Sequence, residues 1–327
     1  MRLSECRLRR WFLLTAVVCA SAGCGHGQPP STSGDGAAQA ASQAQFPAAP
    51  PAAQTGGFDG NRAYELDKEL VAIGPRPAGS VANERQQAFL ISQLKSYGCP
   101  VTEDDFHAST PAGNLAMKNI LVKLPGKRPD IVIYATHYDT KLLPNFVGAD
   151  DGASSTALML ELARSLCVRK NALTVWIAFF DGEEAIRDWS DTDSTYGSRE
   201  LAAELALSGE LVRVKALVLA DMIGISDLHI LRDANSTGWL TDVVWATAER
   251  LGYGNVFLKS KSSVEDDHTP FLRRSVAACD VIDLDDAAQR GIWHTTEDSL
   301  DKIDPRSIAL VGHVFIESLP ALEQKIH

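Results

Sequence analysis

Residues 173–185 read LTVWIAFFDGEEA, and this stretch decides the fold class. Eight apolar or β-branched residues in a row, 173–180, are typical of a strand that is buried on both faces of a parallel sheet. The strand ends directly in Asp181, and Glu183 and Glu184 follow. Because adjacent carboxylates repel each other and resist burial, their place at the end of a buried strand indicates a compensating positive charge nearby.

Strands and helices alternate around this stretch. The sequence predicts further strands at 119–124, 130–139, 215–221 and 276–284. Periodic apolar positions predict helices at 61–73, 82–97, 153–166, 197–207 and 238–252, and a last helix that begins at Asp304-Pro305. This alternation indicates an α/β fold, a three-layer sandwich with a mostly parallel or mixed central sheet flanked by helices.

Acidic residues and histidines follow the predicted strands, where α/β proteins form their sites. These clusters are His137-Tyr138-Asp139, Asp150-Asp151 in GADDGA, the pair Glu183-Glu184, Asp221 in ADMIG, and Trp293-His294. Each cluster alone also fits a structural explanation, such as a helix cap, a strand end or a packed histidine. Together they indicate a bound cation, and Asp, Glu and His are the ligand types of a catalytic zinc ion with an open position.

The N-terminus predicts export. Several arginines precede the apolar run WFLLTAVVCA, and SAGC ends at Cys24. The run is too short for a permanent membrane span, so we predict that residues 1–23 are a signal peptide. The cysteine after Ser-Ala-Gly resembles the bacterial lipoprotein signal, which predicts lipidation of Cys24 and anchoring in the cell envelope; ordinary secretion is the alternative.

Composition divides the remaining chain in two. Residues 24–57 are rich in Ala, Gln, Ser, Pro and Gly and predict a disordered linker. Residues 58–327 can form one large catalytic domain, which we expect to be a monomer.

A net charge of −11 argues against nucleic acid or an anionic membrane surface as a partner, so membrane contact is expected only through a lipid anchor. The spacing of Cys99, Cys167 and Cys279 leaves open whether a disulfide forms.

Several motifs carry a resemblance to a known family. HYD, GADDGA, FFDGEEA, ADMIG and WHTTED resemble the zinc aminopeptidase clan of peptidase family M28. The longer stretches FFDGEEAIRDWSDTDSTYGSREL, VEDDHTPFLRR and IWHTTED are similar to one branch of it, the glutaminyl-peptide cyclotransferases or glutaminyl cyclases. The resemblance covers roughly residues 60–320 and implies a zinc-dependent enzyme that acts on the N-termini of peptides or proteins.

The resemblance also implies roles for particular residues. It implies that Asp151, Glu184 and His294 hold one zinc ion and that Glu183 moves protons. The implied reaction is the cyclisation of an N-terminal glutaminyl residue to a pyroglutamyl residue with release of ammonia. Zinc would polarise the side-chain amide, and Glu183 would carry a proton from the attacking amine to the leaving nitrogen.

The resemblance implies roles for further residues that match the family motifs. Asp221 and Asp266 match a buried carboxylate network that is implied to take part in catalysis. Trp189 and Trp293 match the walls of a substrate pocket. The chain departs from the family at Asp280, where the family often has histidine.

Two alternatives remain open at this point. A two-zinc aminopeptidase of the same clan would bind a second metal ion with His137, Asp221 and a bridging Asp151, and would use Glu183 as a general base. Because the cyclase branch keeps His137 and Asp221 too, their presence does not separate the two enzymes. A non-catalytic lipoprotein with a vestigial binding site is the third possibility.

Overall fold

A computed structural model of the chain describes residues 46–326. The predicted signal peptide at 1–23, Cys24 and the linker up to residue 45 lie outside the described residues, so these predictions stay predictions. In the part that is described, no helix is both long and apolar enough to cross a bilayer.

Strands and helices alternate along the described residues. The strands are β1 (Val101–Thr110), β2 (Gly113–Leu124), β3 (Arg128–His137), β4 (Leu173–Phe180), β5 (Val214–Asp221), β6 (Ile230–Asp233), β7 (Phe257–Ser262) and β8 (Ala278–Ile282). The helices are α1 (Gly60–Val71), α2 (Val81–Ser96), α3 (Ser155–Leu166), α4 (Tyr196–Ser208), α5 (Gly238–Arg250), α6 (Thr269–Leu272), α7 (Leu284–Gln289) and α8 (Pro305–Lys325).

Six strands form one mixed sheet in the order β1-β2-β4-β3-β5-β8. Strands β4, β3, β5 and β8 run parallel to one another. Strands β2 and β1 are antiparallel and extend the sheet beyond β4, while β6 and β7 pair separately. The four parallel strands therefore bring their carboxyl ends to the same edge of the sheet.

Helices cover both faces of this sheet. On β3, Val132 and Tyr134 belong to the hydrophobic cluster that includes side chains of α1, α3, α5 and α8. The alternate residues Ile131 and Ile133 belong to a second cluster, which includes Leu201 of α4 and a residue of α6. Because successive strand residues point to opposite faces, both faces of the central strands are buried, and the predicted three-layer α/β sandwich is confirmed.

Two helices begin at the side-chain caps that their sequences favour. The Asp304 carboxylate accepts a hydrogen bond from the Arg306 amide at 2.9 Å, and Pro305 takes the first position of α8. The Ser80 hydroxyl accepts from the Asn83 amide at 3.0 Å at the start of α2. These caps satisfy amides that lack a partner within the helix.

The predicted linker ends too late. Residues 46–57 are assigned to the linker by composition, yet part of this segment packs on the domain. The Ala49 amide donates to Oδ1 of Asn61 at 2.7 Å, and the Thr55 hydroxyl donates to the Phe58 carbonyl at 2.5 Å. Ala49 and Thr55 are both buried. Small side chains and backbone groups make these contacts, so the composition gives no sign of them.

A disulfide joins Cys99 to Cys167, which are 68 positions apart in the sequence. Cys99 follows α2, and Cys167 lies directly after the last residue of α3, so the bond connects two neighbouring helices. Cys279 is a buried free thiol in β8. The spacing of the cysteines could not predict this bridge, because only the packing of α2 against α3 brings the two residues together.

Candidate metal centre

The acidic and histidine residues at the carboxyl ends of the parallel strands meet in one place. His137 ends β3, Asp221 ends β5, and Glu184 follows β4. Asp151 comes from a turn before α3, and His294 comes from the loop after α7. The parallel arrangement of β4, β3 and β5 brings the residues at their carboxyl ends to one edge of the sheet.

Asp151, Glu184 and His294 can hold one cation. One candidate ligand atom from each of the three residues lies within 4.8 Å of the others. His294 Nε2 is 3.1 Å from Glu184 Oε1 and 3.3 Å from Asp151 Oδ2. Although burial disfavours the charged imidazole, the two carboxylates raise the pKa of His294 to about 9. This negative potential and an Asp-Glu-His donor set suit zinc.

A second trio shares Asp151 with the first. His137, Asp151 and Asp221 also offer ligand atoms within 4.8 Å of one another. His137 Nε2 lies 3.0 Å from Asp221 Oδ1 and 3.3 Å from Asp151 Oδ1. His137 is buried and does not line the cavity of the site, whereas all three members of the first trio do. The first trio is therefore the one that an entering substrate can reach.

A buried carboxylate fixes each of the two loops that carry the candidate acidic ligands. Asp139 accepts hydrogen bonds from the amides of Glu183 at 3.0 Å and Glu184 at 3.4 Å. Asp298 accepts from the amides of Asp150 at 2.6 Å and Asp151 at 3.0 Å. Sequence reasoning included Asp139 only as part of the HYD cluster and assigned no role to Asp298. Their acidic motifs, HYD and TTED, were visible, but the loops that they hold come from distant parts of the chain.

Arg76 holds the Asp151 loop from the other side. Its guanidinium is fully buried and donates to the carbonyls of Val147 at 2.7 Å and Gly148 at 3.2 Å. Burial lowers the pKa of Arg76 to about 10, and the charges of Asp67 and Asp298 oppose this effect. The loop is thus bound through its carbonyls and its amides, which fixes the position of Asp151. The sequence placed Arg76 only in a loop, GPRPAGS.

Strained backbone occurs at three positions around the site. His294 has φ 54°, Met222 after Asp221 has φ 48°, and Thr195 has φ 47°. The left-handed region is unfavourable for residues with a Cβ atom, and most of all for a β-branched residue such as threonine. Such strain persists where the surrounding structure imposes it, and it is concentrated at functional sites.

Glu183, Asp221 and Asp266 form the acidic wall of a cavity of about 440 Å³, which the first trio also lines. Burial, with the negative charges of Asp266 and Glu184, raises the pKa of Glu183 well above its ordinary value, although His137 acts in the opposite direction. Burial also raises the pKa of Asp221 to about 7 despite its pairing with His137. The wall can therefore accept and hold protons.

Both predicted tryptophans line this cavity. Trp189 is 41% exposed and Trp293 is 40% exposed, so neither is a core residue. Trp293 also stacks on the His294 ring, with centroids 4.3 Å apart. Lys141, which sequence reasoning missed, lines the same cavity and donates to Glu184 Oε2 at 3.1 Å.

Asp193 fixes the turn that leads to Trp189. Its carboxylate accepts from the amides of Ile186 and Arg187 at 2.9 Å each and from the amide of Asp188 at 3.1 Å. Three hydrogen bonds to consecutive amides leave this turn little freedom. Trp189 therefore stands at the edge of the cavity on a rigid support.

Asp280 lies in β8, near Asp266. Both of its carboxyl oxygens are buried and make no hydrogen bond among residues 46–326, and His268 Nδ1 is 3.8 Å away. Burial, with the charges of Asp266 and Asp221, raises the pKa of Asp280 well above its ordinary value. Burial and the neighbouring carboxylates therefore disfavour the charged form of Asp280.

Asp298→Asn is expected to weaken zinc binding by roughly 10- to 100-fold, the range typical of outer residues that position metal ligands. The asparagine side chain has one acceptor oxygen and cannot accept from both amides of the Asp151 loop. The affinity can be measured by competition with a chromogenic chelator. Asp301→Asn, an exposed change in the same segment, is the control. Equal zinc affinity in Asp298→Asn and the control would remove Asp298 from the support of the site.

Comparison with known proteins gives consistent results. The sequence model of peptidase family M28 matches residues 119–319. A glutaminyl-peptide cyclotransferase of Drosophila melanogaster is 30% identical over 281 residues, which cover 76% of this chain and 78% of that protein.

Two solved structures are similar to the chain. The structure of an Acidobacteriales bacterium glutaminyl cyclase is 41% identical, with a TM-score of 0.78, and the match covers 82% of this chain and 96% of that one. The Porphyromonas gingivalis glutaminyl cyclase is 28% identical, with a TM-score of 0.75 and coverage of 81% and 99%.

Proposed function

The chain belongs to peptidase family M28 and to its glutaminyl-peptide cyclotransferases, and on that premise we propose that it converts N-terminal glutaminyl residues of peptides into pyroglutamyl residues, with release of ammonia. The observation that carries the proposal is the place of Glu183. It faces the cavity directly beside Glu184, and its carboxylate accepts no hydrogen bond from residues 46–326. A carboxylate in that position is free to exchange protons with a bound substrate.

Asp151, Glu184 and His294 would hold one zinc ion, which when bound polarises the side-chain amide carbonyl of the substrate. Trp189 and Trp293 give the cavity apolar walls that suit the methylene groups of a glutamine side chain. Asp139 and Asp298 keep the two acidic loops in place while the substrate enters. Preorganised ligands of this kind cost little reorganisation during the reaction.

The chemistry that we assign to the acidic wall is a proton transfer. The α-amine nitrogen forms a bond to the side-chain Cδ of the same residue, and the bond from Cδ to the amide nitrogen breaks. Glu183 accepts a proton from the attacking amine and gives it to the departing nitrogen, which leaves as ammonia. Asp221 and Asp266 accept hydrogen bonds from the amine and the departing nitrogen.

A two-zinc aminopeptidase is the second candidate, because the trio of His137, Asp151 and Asp221 could hold another cation. In that enzyme Glu183 would deprotonate water for attack on the main-chain carbonyl. We favour the cyclase since the relatives that cover most of the chain are glutaminyl-peptide cyclotransferases. The count of zinc ions therefore becomes part of the test.

The test combines metal analysis with two substrates. We expect one zinc ion per chain, formation of pyroglutamyl product and ammonia from glutaminyl peptides, and no hydrolysis of leucyl amides. Two zinc ions with leucyl-amide hydrolysis and no pyroglutamyl product would establish the aminopeptidase instead. Bound zinc without turnover of either substrate would point to the non-catalytic binding protein.

We also propose that the enzyme is exported as a monomer with residues 1–23 removed and is anchored in the cell envelope through lipid on Cys24. The positively charged start, the short apolar run and the small residues before Cys24 support this arrangement. Acyl chains on the mature N-terminus would hold the acidic domain at the membrane.

Cys24→Ser is expected to abolish membrane association or block maturation, because serine offers no thiol for acylation. Fractionation of cells and mass measurement of the mature N-terminus would show the result. Ser31→Ala, a change that lies after the signal and keeps the cysteine, serves as the control. Membrane association that persists in Cys24→Ser would indicate an uncleaved N-terminal helix.

A further inference from the structure

A second cleft, of about 580 Å³, is lined in part by Thr192, which follows Trp189 closely in the chain. Three arginines line it, Arg199, Arg273 and Arg274, together with the exposed His107 of β1. Glu200 is a carboxylate in the same lining. In a chain with a net charge of −11, a cleft with three guanidinium groups and one carboxylate is a local reversal of charge.

Two of these arginines make no ion pair with the carboxylates of residues 46–326. Arg199 Nε donates to the Ser194 carbonyl at 3.1 Å, and its guanidinium lies over the Tyr196 ring at 4.8 Å from the centroid. Arg274 donates to the Pro270 carbonyl at 3.2 Å. Only part of each guanidinium is used in these contacts, which leaves donors for an incoming anion.

Arg273 stands between the cleft and the metal centre. It pairs with Asp191 at 2.7 Å and lies 3.9 Å from Glu265. A narrow cavity of about 20 Å³ at this point is lined by Trp189 and Glu265, which also line the metal-centre cavity, and by Arg273, which also lines the cleft. The three cavities therefore share lining residues and lie next to one another on the surface.

We propose that this arginine cleft binds acidic side chains of the peptide substrate, from about the third residue onward, after the N-terminal glutamine has entered the metal-centre cavity. The inference rests on the proposed function, because only a cyclase or related enzyme holds a peptide by its N-terminus in that cavity. Once the glutamine occupies the metal-centre cavity, the residues that follow it lie along the surface. An extended chain advances about 3.3 Å per residue, so each further residue lies that much farther from the cavity. Guanidinium groups bind carboxylates through paired hydrogen bonds, which gives the cleft a preference for acidic peptides.

The charge of the lining residues changes sign between the narrow cavity near Trp189 and the arginine cleft. Glu265 and Asp191 lie at the narrow part near Trp189 and disfavour an acidic side chain directly after the glutamine. The arginines lie farther along and favour one there. The inferred substrate class is thus a peptide with a glutamine at the N-terminus, a neutral residue after it, and acidic residues from the third or fourth position.

The test compares hexapeptides of equal length, Gln-Ala-Ala-Glu-Glu-Ala, Gln-Ala-Ala-Gln-Gln-Ala and Gln-Ala-Ala-Lys-Lys-Ala, with glutaminyl amide. The amide is too short to reach the cleft and measures the proposed cyclase activity alone. We expect kcat/KM for the acidic peptide to exceed that for the lysine peptide by roughly fivefold, mainly through KM, since one exposed ion pair contributes a factor of about 1.4 to 5 and the two peptides differ at two positions. The ratio of kcat/KM for the acidic peptide to kcat/KM for the lysine peptide should fall as salt is added, because the charges are exposed.

Variants of Arg274 assign the effect to the cleft. Arg274→Gln should lower the ratio, and Arg274→Glu should bring it to one or below, while turnover of glutaminyl amide stays at the wild-type level. Arg85→Gln, which removes an exposed arginine of α2 that does not line the cleft, should leave the ratio unchanged. A ratio near one in the wild type, or a ratio that Arg274→Glu leaves intact, would overturn the cleft but not the cyclase. Absence of turnover with glutaminyl amide would overturn both.

Discussion

Glu183→Gln is expected to lower kcat for the cyclisation of glutaminyl peptides at least ~100-fold, the low end of the range for general acid–base catalysis, while zinc stays bound. Glutamine has nearly the size of glutamate and keeps the backbone hydrogen bond from residue 183 to Asp139. It cannot accept a proton from the amine, so only the chemical step is lost. Because Glu183 is not a member of either metal-binding trio, the zinc content should not change.

The measurement needs both numbers from one preparation, the zinc content and the kcat for a glutaminyl peptide. Glu297→Gln is a matched control, since Glu297 is exposed in the same loop as His294 and its change removes the same charge. Wild-type kcat with unchanged zinc would remove Glu183 from the reaction. Loss of zinc together with kcat would instead place Glu183 among the ligands.

Asp151→Ala is expected to remove zinc and, with it, nearly all turnover. Asp151 is the one residue that the two trios share, so its loss leaves neither trio complete. The loss of affinity should exceed the ~10- to 100-fold effect that is typical for outer residues, because a direct ligand is removed. The fold should also become less stable, since bound zinc no longer offsets the repulsion of the remaining carboxylates.

Zinc analysis after dialysis and the thermal midpoint with and without a chelator would check this outcome. Glu184→Ala and His294→Ala should behave in the same way, because each removes one ligand of the same ion. His137→Gln is the informative comparison, since His137 belongs only to the second trio; it should retain the single zinc ion. Asp151→Ala with wild-type zinc affinity would make the ligand assignment wrong.

The central part of the fold could be predicted because its signals are local. The apolar run of β4 needs no distant partner to be recognised, and the cap at Asp304 marks the start of α8 by itself. The convergence of His137, Glu184 and Asp221 followed from the rule that parallel strands end at one edge of a sheet. These features depend on short stretches of chain and on general rules of topology.

Other elements could not be predicted because tertiary contacts define them. Strand β1, VTEDDFHAST, is an edge strand in which only two residues are buried. Its charged and polar residues therefore do not show the apolar alternation by which a strand is recognised. The short elements β6, β7, α6 and α7 carry too few residues for a periodic pattern.

The support of the site was hidden for the same reason. Arg76, Asp139 and Asp298 bind backbone groups of loops that lie elsewhere in the sequence. A sequence pattern shows that such residues are polar, but it cannot show which amides or carbonyls they meet. The ligands were accessible because metal binding demands particular residue types, whereas a backbone hydrogen bond does not.

The bond between Cys99 and Cys167 ties the stability of this enzyme to an oxidising compartment. The disulfide closes a loop of 68 positions. This closure lowers the conformational entropy of the unfolded chain and so stabilises the folded state by about 4 kcal/mol. That is a large fraction of the ~5–15 kcal/mol by which a domain is stable. In the reducing cytosol the two thiols would stay unpaired, and α3, which follows the Asp151 turn, would lose its covalent tie to the region after α2. Protein produced there would carry every candidate metal ligand and still be easier to unfold. Production in the periplasm or oxidative refolding is therefore the suitable source for the experiments on zinc and turnover.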